Sequence, residues 1–501
     1  MILKKLFNLN EYGYKNIVDD QLKISGLAFD SRLVRPGYLF FAIPGINTDG
    51  HLYIEDAIKR GAAVIVYSDP EISFPPHREQ TWIRVDDVRK TMAQISAQFY
   101  DHPSREMRLF GVTGTNGKTS TCFFLRNILE DDGHACGLMT TPKNIIGPDV
   151  YEAINTTEES LQIQACLKSM LNKGIRQAVL EVSSHGLALG RVDGLFFDAA
   201  VITNLVAEHL EFHKSFEHYF SSKKKLIEMV EQNTKKSYPR FVIVNGDDEN
   251  CRKIITESHL PTFTFGLRPE NDVFAEDIEY FVDRTEMKIK TPKGNESVQL
   301  SLPGQHAVYN ALAATAMAIF SGIEGEKVAQ GLEHTHRVPG RWEVVNAGQD
   351  FMVIVDFAHN WHGLDSTLSF IKKMVRGKVI TVFGCGGERD RNKRPMMGET
   401  VARWSDICII TSDNPRHEDP RQTAEDAMQG VSKCKKEVPV ESCIILDRRE
   451  AINQAFSLAQ AGDVVFLAGK GPERYQVYHD RIICHNDYDV ALELLKERNS
   501  S

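Results

Sequence analysis

Near-continuous apolar runs alternate with segments of helical spacing along most of the chain. The central runs are RLFGVTG (108–114), RQAVLEVSS (176–184) and FDAAVITNL (197–205). Between the first two, the segment at 119–133 places Phe124, Ile128 and Leu129 on one helical face. Strands that are apolar on both sides and alternate with helices are typical of a parallel sheet covered on both faces. We therefore predict an α/β fold for this region.

The regions before and after this central part also alternate apolar runs with helical segments. Apolar runs at 38–43 and 62–68, with a helical segment and turn-forming clusters between them, predict a small α/β module. After the turn-like RVPGR at 337–341, five further strands alternate with helical segments, as in a doubly wound fold. They are FMVIVDFA (351–358), KVITVFGCGG (378–387), DICIITSDN (406–414), ESCIILD (441–447) and DVVFLAGKG (463–471). The pattern predicts three domains: 1–100, 101–337 and 338–501.

Composition narrows the class of protein. The 501 residues are 42% hydrophobic and 25% charged, which excludes wholesale disorder. The net charge of −9 disfavours a general DNA or RNA binder, but a local pocket can still hold a small anion. Nine cysteines without a C-x-x-C pair argue against disulfides and structural zinc. With no signal peptide and no apolar stretch of membrane-spanning length, we expect a cytoplasmic monomer that is not inserted in a membrane.

The sharpest local motif follows the first central strand. In GVTGTNGKTS a glycine-rich turn leads from a strand into a helix start, the arrangement that wraps backbone NH groups around a triphosphate. Gly111 lies one residue too far upstream for a strict P-loop. ATP is the expected ligand, although the loop alone leaves GTP open. The expected ATP-binding residues here are Gly114, Thr115, Asn116, Gly117, Lys118, Thr119 and Ser120.

GTNGKTS in this context resembles the ATP loop of the Mur ligases, cytoplasmic enzymes that add amino acids to the UDP-muramoyl precursor of the bacterial cell wall. Folylpolyglutamate synthases share a similar loop, so other motifs must decide. EVSSHGL, which begins at Glu181, is similar to a block of the Mur ligases that install the third residue of the stem peptide. The resemblance implies three domains, with a central P-loop ATPase sheet and a C-terminal Rossmann-like domain.

Three segments suggest a magnesium site. Glu181 ends an apolar strand, where a hard cation beside the phosphate loop would find an oxygen ligand. TNLVAEH at 203–209 resembles TNL-x-x-DH, whose histidine is implied to bind magnesium; here Glu208 replaces Asp. The run after Tyr219 resembles the segment whose lysine is carbamylated, which would turn a cation into an anionic ligand. The implied metal ligands are Thr119, Glu181, His209 and Lys223 as N6-carboxylysine, and Lys118, Glu181, His209 and Lys223 are the expected catalytic residues.

Other motifs resemble the substrate segments of the family. The NTT segment at 155–157 is implied to hold the UDP-muramoyl dipeptide together with Ser183 and Arg191. Glu158 stands where the family usually has Pro. FDSR and GINTDG resemble uridine-nucleotide segments. The expected UDP-substrate residues are Phe29, Ser31, Ile46, Asn47, Thr48, Asn155, Thr156, Thr157, Ser183 and Arg191.

The third region carries the motifs for the incoming amino acid. DNPR resembles the signature of members that accept meso-diaminopimelate, whose distal carboxylate an arginine can grip bidentately. Pro472 replaces the His of GKGHE, and Trp361 replaces a Pro near the nucleotide. The expected amino-acid residues are Arg389, Asp413, Asn414, Pro415, Arg416, Gly469 and Glu473, and further ATP contacts are expected at Asn310, Arg341 and His359.

Taken together, the resemblance implies an ATP-dependent amide ligase that uses magnesium. Its expected reaction joins meso-2,6-diaminopimelate to UDP-N-acetylmuramoyl-L-alanyl-D-glutamate through an acyl phosphate, in peptidoglycan precursor synthesis. Two alternatives stay open. One is a ligase of the same fold that uses another amino acid, such as L-lysine, or another carboxylate acceptor. The other is a non-catalytic nucleotide-binding homologue.

Overall fold

A computed structural model describes residues 1–7, 13–16, 20–45, 48–72, 80–233, 238–436 and 439–499 of the chain. It divides into two compact units. The first comprises Met1–Lys118, Asp132–Glu208 and Ser215–Thr264; the second comprises Thr119–Asp131, His209–Lys214 and Phe265–Ser501. Among the helices in the described ranges, none combines the length and apolar character that crossing a bilayer requires. The division into domains at 100 and 338 stays a prediction.

The N-terminal part of the first unit is a small α/β module, as predicted. Its elements are α1 (Leu3–Leu6), β1 (Gly13–Asn16), β2 (Gly26–Ala28), β3 (Tyr38–Phe41), α2 (Ile54–Lys59), β4 (Ala62–Tyr67), β5 (Thr81–Arg84) and α3 (Val88–Phe99), with 3₁₀ turns at Ser31–Leu33, Gly50–Tyr53 and Pro103–Arg105. The strand order is β1-β5-β4-β3-β2, and only β1 is antiparallel to its neighbour. Leu39 and Phe41 pack on one face and Phe40 on the other, so the sheet is covered on both sides.

The central elements build a larger sheet. They are β6 (Arg108–Thr113), α4 (Lys118–Asp131), β7 (Cys136–Met139), β8 (Lys143–Ile146), β9 (Asp149–Glu152), α5 (Ser160–Asn172), β10 (Gln177–Glu181), α6 (Ser184–Ala188), β11 (Ala199–Ile202), α7 (Leu210–His213), α8 (Phe216–Gln232), β12 (Phe241–Asn245), α9 (Glu249–Glu257) and β13 (Thr262–Gly266). Within the first unit the order is β12-β11-β6-β10-β7-β8-β9. The pairs from β12 to β7 are parallel, as predicted, and β8 and β9 add an antiparallel edge. Because parallel strands end at one edge, the loops after β6, β10 and β11 meet there.

The second unit contains a meander that the sequence interpretation did not include. Strands β14 (Val273–Tyr280), β15 (Thr285–Thr291) and β16 (Gly294–Leu300) form an antiparallel meander, followed by α10 (Gln305–Phe320) and α11 (Gly325–Glu333). Helix α10 is buried along almost its whole length, which explains its apolar character all round.

The C-terminal part of the second unit is the predicted doubly wound domain. Its elements are β17 (Glu343–Val345), β18 (Met352–Asp356), α12 (Trp361–Met374), β19 (Val379–Cys385), α13 (Lys393–Trp404), β20 (Ile407–Ser412), α14 (Pro420–Lys433), β21 (Glu441–Ile444), α15 (Arg448–Leu458), β22 (Val464–Ala468), β23 (Tyr475–Val477), β24 (Ile482–Cys484) and α16 (Asp487–Asn499). The order is β17-β18-β22-β19-β20-β21, with β17 alone antiparallel in this sheet. All five predicted strands are confirmed. Hydrophobic clusters cover both faces, so the loops after β18, β19, β20 and β22 are left to form a site.

Candidate active site

The glycine-rich loop between β6 and α4 has the backbone that a phosphate-binding turn needs. Gly114 and Gly117 have φ of 147° and 86°, a region that residues with side chains rarely adopt. A Cβ on Gly114 would also lie 1.9 Å from the Thr203 hydroxyl oxygen. Helix α4 begins at Lys118, so the loop runs directly into a helix N-terminus. The helix continues with Thr119 and Ser120, both buried, in the second unit.

Lys118 folds back over the loop that precedes it. Its Nζ donates to the carbonyl oxygens of Gly114 at 3.1 Å and Thr115 at 2.8 Å. Both acceptors are neutral carbonyl oxygens. The Lys118 ammonium could therefore move to a phosphate, and breaking these two contacts would not cost an ion pair. The position fits the predicted contact with the outer phosphates of ATP.

The segment after β11 clamps the same loop. The side-chain amide of Asn204 accepts from the Asn116 NH at 2.9 Å and donates to the Asn116 carbonyl at 3.0 Å. The Thr203 hydroxyl donates to that carbonyl at 2.5 Å, and the Thr115 hydroxyl accepts from the Val206 NH at 2.9 Å. Sequence reasoning used this motif only for its histidine and missed its clamping role. The order TNL directly after a strand beside the loop was the available signal.

Lys223 lies on α8 beneath the loop, with 2% of its surface exposed. Its Nζ donates to the Gly114 carbonyl at 2.7 Å and lies 4.8 Å from the centre of the Tyr219 ring. Burial, and after it the positive charge of Lys118, lowers the pKa of Lys223 well below its ordinary value of 10.5, although Glu208 and Glu181 act in the opposite direction. A lowered pKa favours the neutral amine, the form that can attack carbon dioxide. This environment supports carbamylation of Lys223.

Glu181 ends β10 at the same sheet edge and is 3% exposed. Its Oε2 accepts a hydrogen bond from the Thr141 NH at 3.0 Å. A buried carboxylate at this edge offers the hard oxygen that magnesium prefers. Glu181 pairs with Val112 of β6, and the Lys223 Nζ lies 3.5 Å from the hydroxyl of Thr113, the next residue, so both groups lie beside the end of β6 in the first unit.

The segment expected to hold the UDP-muramoyl dipeptide is tied to the end of β10. The Thr157 hydroxyl lies 3.0 Å from the Glu181 carbonyl oxygen and 3.1 Å from Ser183 Oγ. Arg191 donates to the Thr157 carbonyl at 2.8 Å and lies 3.0 Å from the Glu159 carboxylate. The structure thus brings Thr157, Ser183 and Arg191 together, three residues that the family resemblance implies for one substrate.

Glu158, which stands where the family pattern has Pro, is buried in the same segment. Its Oε1 accepts from the Ile154 NH at 2.8 Å, and its Oε2 lies 3.5 Å from the Asn155 amide nitrogen. Thr156 adds a contact of 3.3 Å with the Thr141 hydroxyl. The replacement therefore ties the segment down through hydrogen bonds where a proline would restrict its backbone.

The expected uridine-binding residues lie at the edge of the N-terminal sheet. Phe29 follows β2, and Ser31 is buried at the start of the 3₁₀ turn Ser31–Leu33. The Thr48 hydroxyl lies 3.3 Å from that of Tyr53. Ile46 and Asn47 fall outside the described residues.

The predicted nucleotide residues of the second unit include an arginine beside the start of α4. An Arg341 NH2 nitrogen lies 3.5 Å from the Thr119 hydroxyl oxygen, and the guanidinium lies over the Phe357 ring at 4.6 Å. His359 is exposed, with Nδ1 2.8 Å from the Phe357 carbonyl oxygen. Asn310 is buried in α10.

His209, the implied metal ligand, also belongs to the second unit. It directly precedes α7 with a left-handed φ of 56°, and its Nδ1 lies 3.5 Å from the Glu211 carboxylate. A side chain in this position on a turn can be presented to a ligand without distorting a helix.

The loops after β20 and β22 bring the predicted amino-acid residues together. Asn414 donates to Glu473 Oε2 at 2.8 Å. Lys470, which sequence reasoning did not single out, reaches the same oxygen at 2.7 Å and lies 3.7 Å from Asp413 Oδ1. Gly469 has a φ of 105°, which lets the chain turn at the strand end. Acidic groups and a buried cation therefore face one another at the carboxyl edge of the sheet.

Arg416 supplies a second cation at this edge. Its NH1 donates to the Gly387 carbonyl at 2.5 Å, and its backbone, with φ of 55°, donates from N to the Val477 carbonyl at 2.9 Å. Burial, and next the charge of Arg389, lowers the pKa of Arg416. The carbonyl oxygen of Pro415 lies close to Gly387, where an added Cβ would be 1.9 Å from it. Two neighbouring guanidinium groups that repel one another favour an anion between them.

The two replacements in this unit have local explanations. Pro472 packs on Gly340, whose φ is 65° and whose added Cβ would lie 2.2 Å from Pro472 Cδ. Trp361 opens α12, and the Asn360 side chain caps that helix by accepting from the Gly363 NH at 2.8 Å. Neither change disturbs the strand ends that carry the site.

Three family models match consecutive parts of the chain. They are the catalytic domain of the Mur ligase family at residues 23–100, the Mur ligase middle domain at 112–318 and the Mur ligase glutamate ligase domain at 340–471.

Relatives match over nearly the whole chain. A UDP-N-acetylmuramoyl-L-alanyl-D-glutamate--2,6-diaminopimelate ligase of Caldanaerobacter subterraneus is 41% identical, with 95% of each chain covered. The ligase 1 of that name from Clostridium acetobutylicum is 40% identical over 99% of this chain and 100% of its own. A solved structure of such a ligase is 27% identical, covers both chains completely and has a TM-score of 0.65. With this similarity along its whole length, and with the loop, strand-end and lysine geometry described above, the chain belongs to the Mur ligase family.

Proposed function

We propose that this protein joins meso-2,6-diaminopimelate to UDP-N-acetylmuramoyl-L-alanyl-D-glutamate, with conversion of ATP to ADP and phosphate, in the synthesis of a peptidoglycan precursor. The choice of amino acid rests on one observation: a positively charged and a negatively charged side chain lie at the same edge of the C-terminal sheet. Arg416 offers a guanidinium to a carboxylate, and Glu473 offers a carboxylate to an ammonium. The distal end of diaminopimelate has both groups, whereas that of lysine has only the ammonium. The shared name of the relatives supports the same choice.

The chemistry divides into two steps. The free glutamyl carboxylate attacks the γ-phosphorus of ATP, giving an acyl phosphate and ADP. The diaminopimelate amine then attacks the acyl carbon, and the tetrahedral intermediate expels phosphate, while the nitrogen loses a proton and an amide forms. We propose that the backbone of Gly114–Gly117 and the Lys118 ammonium hold the phosphates, because negative charge builds up there in both steps. Arg341, Asn310 and His359 are the proposed further contacts with ATP.

Magnesium would be held by Thr119, Glu181, His209 and Lys223. The Glu181 carboxylate and the Thr119 hydroxyl fit such an ion because both offer hard oxygen atoms. Lys223 fits only after carbamylation, since its amine now donates to Gly114. When bound, the ion would neutralise charge on the transferring phosphoryl group.

The substrate residues are proposed by segment. Phe29, Ser31 and Thr48, with Ile46 and Asn47, would bind the uridine nucleotide, and Arg389, Asp413–Arg416, Gly469 and Glu473 would bind the amino acid. The segment Asn155–Thr157, with Ser183 and Arg191, would hold the muramoyl dipeptide. We propose that these tasks follow three domains, 1–100, 101–337 and 338–501.

The test combines turnover with one variant. Purified protein is incubated with ATP, Mg²⁺, UDP-muramoyl dipeptide and a panel of amino acids, and phosphate release and product mass are followed. Release that requires diaminopimelate supports the proposal, and Arg416→Ala should then raise the KM for diaminopimelate at least about tenfold, with little change for ATP. Arg421→Ala, which removes an exposed arginine paired with Glu425, is the control. Turnover with lysine but not diaminopimelate would refute the proposed specificity.

A further inference from the structure

A lysine lies directly beneath the proposed amino-acid site. Lys470 follows β22 in the loop that also carries Glu473, and its side chain is 0% exposed. Burying an ammonium group is costly unless oxygen atoms surround it. The oxygen atoms around the Lys470 ammonium therefore indicate its role.

In the part of the chain that the structure describes, the Lys470 ammonium contacts residues that are expected to bind the amino acid. Its Nζ lies 2.7 Å from Glu473 Oε2, 3.3 Å from Asn414 Oδ1 and 3.7 Å from Asp413 Oδ1. Asn414 adds a second donor to Glu473 Oε2 at 2.8 Å. Two donors thus fix one oxygen of the Glu473 carboxylate, while the side chain remains 30% exposed and can meet a ligand.

The loop also has main-chain hydrogen bonds that do not involve this ammonium. The Gly469 NH donates to the Asp356 carbonyl at 3.1 Å, and the Glu473 NH donates to the Lys470 carbonyl at 3.0 Å. These main-chain bonds would persist with an apolar side chain at 470. Within the described ranges, the Lys470 ammonium thus interacts with the carboxylates of Glu473 and Asp413 and not with the backbone of the loop.

We propose that Lys470 is a positioning and specificity-determining residue for the incoming amino acid, an inference that rests on the proposed function. It orients Glu473 and cancels one of the negative charges at the site. The charges of Arg389, Arg416 and Lys470 are opposed by those of Glu388, Asp413 and Glu473, so the pocket is close to neutral. A neutral pocket with separated charges matches the zwitterionic distal end of diaminopimelate, and it does not reward the single positive charge of lysine.

Replacing Lys470 by Met tests both parts of the inference. The change leaves the pocket with one excess negative charge and frees the Glu473 carboxylate. The KM for diaminopimelate should rise on the order of tenfold or more, because a hydrogen bond to a charged group is lost, while the KM for ATP stays within about twofold. The ratio of kcat/KM for diaminopimelate over lysine should fall by a similar factor. Lys372→Met, which removes a half-buried lysine paired with Asp406, is the matched control and should leave this ratio unchanged.

A double variant separates this role from general destabilisation. In a Glu473→Gln background, Lys470→Met should have a much smaller effect on the KM for diaminopimelate, because its charged partner is already gone. Additive effects of the two changes would overturn the proposal, as would an equal rise of KM for all substrates. If Lys470→Met does not fold, Lys470→Gln serves, with folding checked by thermal melting, and an unchanged amino-acid preference in Lys470→Gln would also overturn it. Wild-type protein that does not use diaminopimelate refutes the proposed function instead, which keeps the two failures distinct.

Discussion

The hydrogen bonds between Asn204 and Asn116 offer the most direct test of whether the fold holds the glycine-rich loop in the shape that ATP binding needs. Asn204→Leu keeps nearly the same shape and removes both polar atoms of the side chain. The hydrogen bonds lost are those to the Asn116 NH at 2.9 Å and to the Asn116 carbonyl at 3.0 Å. The Asn116 peptide lies inside the predicted ATP loop, so the change acts on the loop without touching its residues.

The size of the effect follows from these two bonds. Each contributes about 1 kcal/mol net, which gives at most about 2 kcal/mol for the pair. The Thr203 hydroxyl still donates to the Asn116 carbonyl, so one of the two losses is partly compensated. We therefore expect ATP affinity to fall by about 1 to 2 kcal/mol, which is on the order of five- to thirtyfold in Kd.

Titration calorimetry of ATP against wild-type and Asn204→Leu protein measures this directly. The KM for diaminopimelate should change far less than the KM for ATP. Asn250→Leu is a suitable control, because it removes a hydrogen bond of the same kind to the Leu205 carbonyl instead of the loop. An unchanged Kd for ATP in a fully folded Asn204→Leu variant would refute the clamp, since the loop would then hold its shape unaided.

Two further predictions concern a buried lysine and a close glycine contact. Because burial lowers the pKa of Lys223 in the folded state, the unfolded state binds more protons between that pKa and about 10.5. The free energy of unfolding should therefore rise with pH in this window, by up to about 1.4 kcal/mol per pH unit, and fall as pH is lowered. Urea unfolding of wild type against Lys223→Met in buffer free of carbon dioxide checks this, and equal slopes would contradict it. Gly340→Ala should lower stability by about 1 to 3 kcal/mol and reduce kcat, because its Cβ would lie 2.2 Å from Pro472 Cδ; thermal melting with an unchanged Tm would argue against it.

The strands were predictable where burial dominates the pattern. Segments such as 378–387 and 463–471 are apolar on both sides because helices cover both faces of a parallel sheet, and β19 and β22 appear there. The meander β14–β16 was not predicted because its strands mix apolar residues with many charged ones. In β14 buried and exposed positions alternate only in part, and a register shift between Glu276 and Glu279 interrupts the period of two. A sequence pattern that rests on burial has little to detect in a half-exposed strand.

The candidate site was predictable in residue type and chain position, but not in side-chain direction. Glu181 and Arg416 could be singled out because each lies at the end of an apolar strand, and Lys223 because its segment resembles the one that is carbamylated in the Mur ligases. Asn204 and Lys470 could not, because an amide or ammonium group can point anywhere from its backbone position. Their roles follow from the groups that surround them, and two of those groups, Asn414 beside Lys470 and Asn116 beside Asn204, lie 56 and 88 residues away in the chain.

Three lysines of this chain show how surroundings assign different chemistry to one residue type. Among the described residues, Lys118 donates to two loop carbonyls, which are weak enough partners to yield to a phosphate. Lys223 is sealed beneath the same loop beside another cation, and its lowered pKa favours a nucleophilic amine over a charge. Lys470 is equally buried but lies against carboxylates, so its charge is compensated and can orient them. Lys118 and Lys223 even share the Gly114 carbonyl as an acceptor, so burial and neighbouring charge, and not the acceptor alone, separate their chemistry.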